Sequence, residues 1–241
     1  MARKMIDFYA SLSPNLKASL IITVALIIIL IVIGKKVEAL DPKKSPKGVV
    51  FVAVLMVEKL NDFIKEFYGK QWRTFTPILV GILIYLAFAN TSALFGLANP
   101  LANISIALAF SLFAFLTIQI SGLWVRKPKN RFKDLSSPSV LLMPLNVISE
   151  ISTPLAMGLR LFGNLLSGSV MAVVIFNLLN ILGDVLGTLG AVIGTIGNVS
   201  IATLVLHPIF NIGFGLIQAF VYFMLLTIFL SMAIEEPEVA E

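Results

Sequence analysis

The chain has 241 residues, of which 58% are hydrophobic and 13% are charged. A soluble domain carries about 25% charged residues, so the composition excludes a soluble protein and fits about five or six membrane helices. The absence of cysteine excludes disulfides, thiolate metal sites and cysteine nucleophiles. The net charge of +5 lies in loops between apolar segments, which indicates membrane orientation and lipid contact and not nucleic-acid binding.

The apolar segments predict an all-α integral membrane protein with one membrane domain, residues 1–241. Residues 18–33 form the first span, which is retained because a lysine-rich segment follows where a cleavage site would stand. Residues 49–70 begin apolar and turn amphipathic, and their apolar part is too short to cross a membrane. They predict a helix along the cytoplasmic membrane surface, with a soluble packing helix as the alternative. Residues 74–95 and 104–124 form two further spans.

The C-terminal half holds two long apolar segments. Residues 139–182 form the first of these segments, and positions 140–182 alone would measure about 64 Å as one helix, roughly twice the hydrocarbon thickness. A charge-free turn would leave backbone groups unpaired in lipid, so one long, tilted helix is predicted. Residues 199–232 predict a second long, tilted helix. The glycines between them indicate either a close-packing stripe or a flexible turn: Gly183, Gly187, Gly190, Gly194 and Gly197.

The charges of the loops predict the orientation in the membrane. The two dense basic loops, near residues 43 and 129, fall on the same side if the N-terminus is outside. Because cytoplasmic loops carry an excess of lysine and arginine, we predict that these loops and the C-terminus are cytoplasmic. Residues 96–103 and 183–197 are then predicted to face outward.

Arg160 interrupts the longest apolar region, since only Glu150, Arg160 and Asp184 are charged between Asp134 and Glu235. An arginine at bilayer depth costs about 2.5–3.5 kcal/mol on insertion scales and normally faces a bundle interior or a wet cavity. On a helix it shares one face with Ser149, Thr153, Asn164 and Ser167, opposite Ile151, Leu155, Phe162, Leu165 and Leu166. Two interpretations follow, a structural tie between helices and a fixed charge beside an ion path.

A second polar stripe lies on the last predicted helix: Ser200, Thr203, His207, Asn211 and Gln218. Pro208 is expected to kink this helix. His207 is the chain's only histidine, and it is either structural or a proton relay. The sequence contains no nucleophile–base pair, metal cluster or phosphate-binding glycine loop, so no cofactor is expected. The residues suit ion passage and not bond-breaking chemistry.

The segment Gly-Leu-Arg160-Leu-Phe-Gly-Asn164 resembles the a-subunit of the F-type ATP synthase, the stator channel beside the rotating c-ring. The resemblance extends to residues 143–150 and 218–231 and covers most of the chain. It implies two long helices curving around the ring, in the plasma membrane of a bacterium. The implied partners are the c-ring, the b-subunit peripheral stalk and membrane lipid, and the transported ion is H⁺ or Na⁺. Such a subunit is non-catalytic and makes no ATP itself.

The resemblance also implies roles for single residues. Arg160 matches the essential stator arginine, which faces the ring carboxylate and keeps two aqueous half-channels from short-circuiting. Asn164 and Gln218 match the polar residues beside it. Ser169 stands where many members carry Glu or His for the outer half-channel.

Two further positions belong to the implied ion path. Some members carry His or Glu where Asn211 stands, and His207, one turn earlier, is the candidate replacement. Glu150 resembles an acidic position of Gram-positive-type relatives. We expect Glu150 to be hydrated in the cytoplasmic half-channel, with a helix-end carboxylate in ordinary water as the alternative.

Two other classes of function remain open from the residues themselves. One is a secondary transporter whose midplane arginine binds an anionic substrate, although the two halves of the sequence show no inverted repeat. The other is a membrane scaffold that only assembles partners. A scaffold role does not explain Arg160 and the polar residues on its face of the helix.

Overall fold

A computed structural model describes residues 11–39, 46–126, 140–185 and 208–234. These residues form six α-helices and no strand: α1 (Pro14–Glu38), α2 (Val49–Tyr68), α3 (Trp72–Thr91), α4 (Ile104–Val125), α5 (Met143–Val185) and α6 (Gly215–Ile234). All except α2 contain a stretch that is long and apolar enough to cross a membrane. The predicted class, an all-α membrane protein with about five spans and one additional helix, is confirmed.

Local signals in the sequence set several helix ends. The hydroxyl of Ser13 accepts a hydrogen bond from the Leu16 backbone N–H at the start of α1, where proline occupies the first position. Asn103 caps α4 in the same way by accepting from the Ser105 N–H. Gly96 follows α3 in the left-handed region at φ 73°, which glycine adopts without steric cost. The connection between α3 and α4 carries no charged residue, and it is held by helix caps and by a glycine turn.

The most enclosed span is α6, which contacts α2, α3, α4 and α5. Ala219, Tyr222, Phe223, Leu226 and Leu230 on this helix are all at most 2% exposed. The hydroxyl of Tyr222 donates to the backbone oxygen of a residue on α4, Phe110, at 2.7 Å. Lipid tails are as apolar as these side chains, so close packing and such hydrogen bonds hold membrane helices together. The helix that carries Gln218 is therefore fixed on several sides.

The second half of α2 packs against the bundle through buried side chains. Ile64 and Tyr68 are buried, and the Tyr68 hydroxyl donates to the Thr227 backbone oxygen on α6 at 2.8 Å. Burial raises the pKa of the Tyr68 phenol above its ordinary value. The first half, residues 49–57, exposes most of its apolar side chains. The docked half explains the amphipathic pattern in the sequence, while the position of α2 on the membrane surface stays a prediction.

Hydrogen bonds between helices define two ends of the bundle. At the connection end, which holds residues 92–103, Asn15 near the start of α1 donates to the Asn99 backbone oxygen at 2.7 Å. At the α2 end, Ser231 near the end of α6 donates to the Phe67 backbone oxygen at 3.2 Å. Helices α1 and α4 both start at the connection end, so the two basic loops that follow them leave from the α2 end. Which end faces the cytoplasm stays a prediction.

The two C-terminal helices differ from each other in regularity. The predicted long helix forms as one α-helix of 43 residues that continues through Pro154. In the described part of the last helix, a π-helix, Pro208–Phe214, precedes α6, which starts at Gly215. Proline lacks the N–H that a regular turn would use, and π-helical turns are frequent at functional sites. The expected irregularity at Pro208 therefore takes the form of a π-helix.

Some predicted features lie outside the described residues. Residues 199–207, the predicted start of the last helix, belong to this group, and so do Gly187, Gly190, Gly194 and Gly197. Gly183 lies within α5, near its end. The choice between a glycine stripe and a flexible turn therefore stays open.

Candidate ion-translocation site

Arg160 lies on the exposed surface of α5 and not in the interior of this chain. The buried face of α5 comprises Pro154, Met157, Gly158, Leu161 and Gly168. On a helical wheel this face is centred about 100° away from the direction of Arg160. Among the described residues the guanidinium has no hydrogen bond or ion pair. The charge within this span is thus presented at the surface of the chain, beside the face through which α5 packs against the other helices.

Gly158 explains why α5 packs through a face beside the arginine. A Cβ at this position would lie 2.5 Å from the Ala107 backbone oxygen on α4 and would overlap the Ser111 hydroxyl. Ser111 in turn donates to the Leu155 backbone oxygen at 3.3 Å. Small residues permit this close approach of two membrane helices. The contact fixes α5 against α4 two residues before Arg160.

Asn164 and Gln218 are half-buried and each has an unpaired polar atom. The Nδ2 of Asn164 and the Oε1 of Gln218 are buried and have no hydrogen-bond partner among the described residues. Leaving such a group unpaired costs about 1–3 kcal/mol, so water or a partner molecule is the expected complement. Asn164 follows Arg160 by one turn of α5, about 40° around the helix.

The hydroxyls along α5 bond to their own helix. Ser167 donates to the Asn164 backbone oxygen at 2.9 Å, and Ser169 donates to the Leu166 backbone oxygen at 2.8 Å. Both side chains are exposed, but they point to nearly opposite sides of the helix, about 200° apart. Ser169 therefore does not share the face of Arg160.

Glu150 lines a cavity of about 360 Å³ at the α2 end of the bundle, between α4, α5 and α6. Its Oε2 accepts a hydrogen bond of 2.8 Å from Nε2 of Gln119 on α4. Arg126, which is only 7% exposed, lines the same cavity together with Ser149 and Thr153. The cavity thus combines one carboxylate with an amide, a buried guanidinium and two hydroxyls.

Sequence reasoning missed two members of this cavity. Gln119 appeared as one polar residue within a predicted span, and Arg126 appeared as the first residue of a basic loop. The available signal was their position in the sequence, because Gln119 lies in the last two turns of α4 and Arg126 directly follows that helix, at the end where α5 begins. No cluster of three metal-ligating side chains occurs in the part of the chain that the structure describes.

The predicted outer residues are only partly described. His207 lies outside the described residues, and Asn211 lies in the π-helix with a side chain that is also outside them. Just beyond this π-helix, the buried amide of Asn90 on α3 donates to the Gly215 backbone oxygen at 3.0 Å. A Cβ on Gly215 would lie 2.8 Å from Asn90 Cβ. Asn90 therefore fixes the start of α6, a role that the sequence did not suggest.

A second cavity, of about 510 Å³, lies at the connection end between α1, α3 and α4. Its polar lining consists of hydroxyls and one amide: Ser13, Ser19, Thr23, Tyr85, Asn103 and Ser105. The hydroxyls of Ser19 and Tyr85 are 2.7 Å apart and share a hydrogen bond. No charged side chain lines this cavity within the described residues, so it differs from the cavity at Glu150.

Five candidate spans, an exposed arginine and buried amides with unpaired atoms together define a polytopic membrane protein that carries polar groups within its spans. The family model described as "ATP synthase A chain" matches residues 18–231, so the chain belongs to that family.

Curated relatives support this assignment at low identity. ATP synthase subunit a of Nitratidesulfovibrio vulgaris (strain DP4) is 29% identical over 197 residues, which are 80% of this chain and 76% of that protein. Subunit a of Moorella thermoacetica is 26% identical, over 66% of this chain and 73% of its own length. Subunit a 2 of Chlorobaculum tepidum is 23% identical, over 94% of this chain and 64% of its own length.

Proposed function

We propose that this chain is the ion-conducting stator subunit of a rotary F-type ATP synthase, itself non-catalytic, which couples H⁺ or Na⁺ passage to rotation of the c-ring. The proposal rests on Arg160, a permanent cation within a candidate span. Its side chain is exposed and has no hydrogen bond or ion pair in the described part of the chain. Such a charge needs a partner at bilayer depth. A carboxylate on a neighbouring ring fits that requirement.

The mechanism follows from the electrostatics of this one charge. A ring carboxylate that faces lipid must be neutral, because a bare carboxylate there is very costly. Beside Arg160 the ionised carboxylate is favoured, since an opposite charge stabilises it. The site therefore releases its ion on approaching the arginine and must reload before it re-enters lipid. The guanidinium keeps its charge at any ordinary pH, so it blocks direct ion transfer between the two sides.

Two half-channels serve the releasing and the reloading step. We assign the cytoplasmic half-channel to the cavity at Glu150, because that cavity lies at the α2 end, from which the basic loops leave. We assign the outer half-channel to the side of Asn211, His207 and Ser169. Asn164 and Gln218 lie beside the arginine, and their unpaired atoms favour contact with water or with the ring. The b-subunit stalk is the second proposed protein partner.

The proposal is tested by cross-linking two neighbouring serines of α5 to the ring. Ser167 lies within about 20° of the direction of Arg160, whereas Ser169 lies on the opposite side of the helix. Both are exposed, and the chain has no native cysteine. In whole-complex membranes, Ser167→Cys should form a disulfide with a single cysteine beside the ring carboxylate, and Ser169→Cys should not. Cross-linking of Ser169→Cys alone would contradict the proposed ring-facing surface.

A further inference from the structure

The cavity at Glu150 contains a paired acid and not an isolated one. The Gln119 amide donates to the Glu150 carboxylate at 2.8 Å, and the two residues come from different helices. The pair is partly buried and stands in the wall of the cavity, where Arg126 supplies a buried positive charge. Glu150 lies ten residues before Arg160, about 15 Å along α5. The pair and its cavity are therefore separate from the arginine site.

We propose that Gln119 is a positioning residue that holds the Glu150 carboxylate in the cytoplasmic half-channel, so that the pair is the unit that transfers the ion. This inference rests on the half-channel proposed above and adds to it a residue from α4. A glutamate has several rotatable bonds, and fixing it in one rotamer has an entropic cost. The hydrogen bond to a carboxylate offsets this cost because it is charge-assisted and stronger than a neutral one.

The geometry makes the pair interchangeable. Glutamine and glutamate have the same length, and an amide of one meets a carboxylate oxygen of the other across the cavity wall. Exchanging them places the carboxylate on α4 and the amide on α5, while the hydrogen bond and the cavity stay the same. If the pair carries the ion, the carboxylate functions from either helix. If Gln119 only packs α4 against α5, the exchange leaves the half-channel without its acid.

The experiment measures ATP-driven ion pumping by the complete complex in inverted membrane vesicles. Glu150→Gln and Gln119→Leu should each slow pumping several-fold, and the combined variant should be no slower than Glu150→Gln alone. Gln119→Glu combined with Glu150→Gln should restore pumping to near the wild-type rate. The Ser167→Cys cross-link to the ring, measured in each variant, reports whether the subunit is folded and assembled.

Three outcomes would contradict the positioning role of Gln119, the ion-transferring pair or the assigned half-channel. If Gln119→Leu slows pumping equally in the Glu150 and the Glu150→Gln backgrounds, its effect is structural and the positioning role is wrong. If the exchanged variant stays as slow as Glu150→Gln while its cross-link is normal, the pair is not the transferring unit. If Glu150→Gln pumps at the wild-type rate, both the pair and the assigned half-channel fail, whereas the role of Arg160 is judged separately by the cross-link.

Discussion

Replacing Gly158 with alanine should displace the arginine without touching it. The added Cβ would lie 2.5 Å from the Ala107 backbone oxygen, whereas ordinary contact begins at 3.4 Å. The Ser111 hydroxyl can rotate away but the backbone oxygen cannot, so α5 must move from α4 by roughly 1 Å. Overpacking of this kind typically costs about 1–3 kcal/mol of stability. Arg160 follows two residues later, about 3 Å along the same helix, and should move with it.

The consequence is measurable as a loss of ion pumping in complexes that still assemble. A displacement of about 1 Å in a functional group can reduce a rate by roughly tenfold to a hundredfold, and we expect the pumping rate of Gly158→Ala to fall within this range. Gly81→Ala on α3 is the control, because a Cβ at position 81 meets no atom within 4 Å and this position is far from Arg160 in the sequence. Equal pumping by Gly158→Ala and the control, at equal amounts of complex, would refute the positioning of Arg160 by this contact.

Three further predictions concern Tyr68, Asn90 and His207. Tyr68→Phe should reduce the free energy of unfolding by about 1 kcal/mol, because the hydrogen bond from the Tyr68 hydroxyl to the Thr227 backbone oxygen is lost. Burial raises the pKa of Tyr68, so above pH 10.0 the unfolded wild type loses this proton before the folded protein does. The free energy of unfolding of the wild type should therefore fall more than that of the variant as the pH rises above 10.0. Unfolding experiments in detergent at several pH values measure this difference. Asn90→Ala should lower the free energy of unfolding by about 1 kcal/mol, because the hydrogen bond between α3 and the Gly215 oxygen is lost, and an unchanged unfolding midpoint would contradict this. His207→Ala should reduce proton-driven ATP synthesis and His207→Glu should restore part of it, whereas full activity of His207→Ala across the working pH range excludes a relay.

The helical architecture was largely predictable because membrane insertion imposes strong constraints on sequence. An unpaired backbone group in lipid is so costly that long apolar segments must be helical, and α5 is accordingly one continuous helix through Pro154, as predicted. The short apolar part of α2 likewise predicted a helix that does not span, and α2 is not among the helices that are long and apolar enough to cross a membrane. The start of α1 at Pro14, four residues before the predicted start of the span, depends on a cap by Ser13 that hydropathy does not register.

The packing around the candidate site was not predictable to the same degree. Periodicity grouped Arg160 with the other polar residues of α5, but it could not tell which face meets α4. That choice depends on Gly158 and on Ala107 and Ser111, which lie far away in sequence. The pairing of Gln119 with Glu150 is likewise a contact between distant segments, and nothing local in either segment indicates it.

The most direct test of the central claim is ATP synthesis by Arg160 variants in vesicles under an imposed ion gradient. We predict that Arg160→Ala and Arg160→Lys both abolish synthesis while the complex still assembles, because alanine removes the charge and lysine lacks the planar guanidinium and loses its proton more easily when desolvated. The Ser167→Cys cross-link to the ring confirms assembly in each variant. ATP synthesis at the wild-type rate by either variant would contradict the assignment of Arg160 as the stator charge.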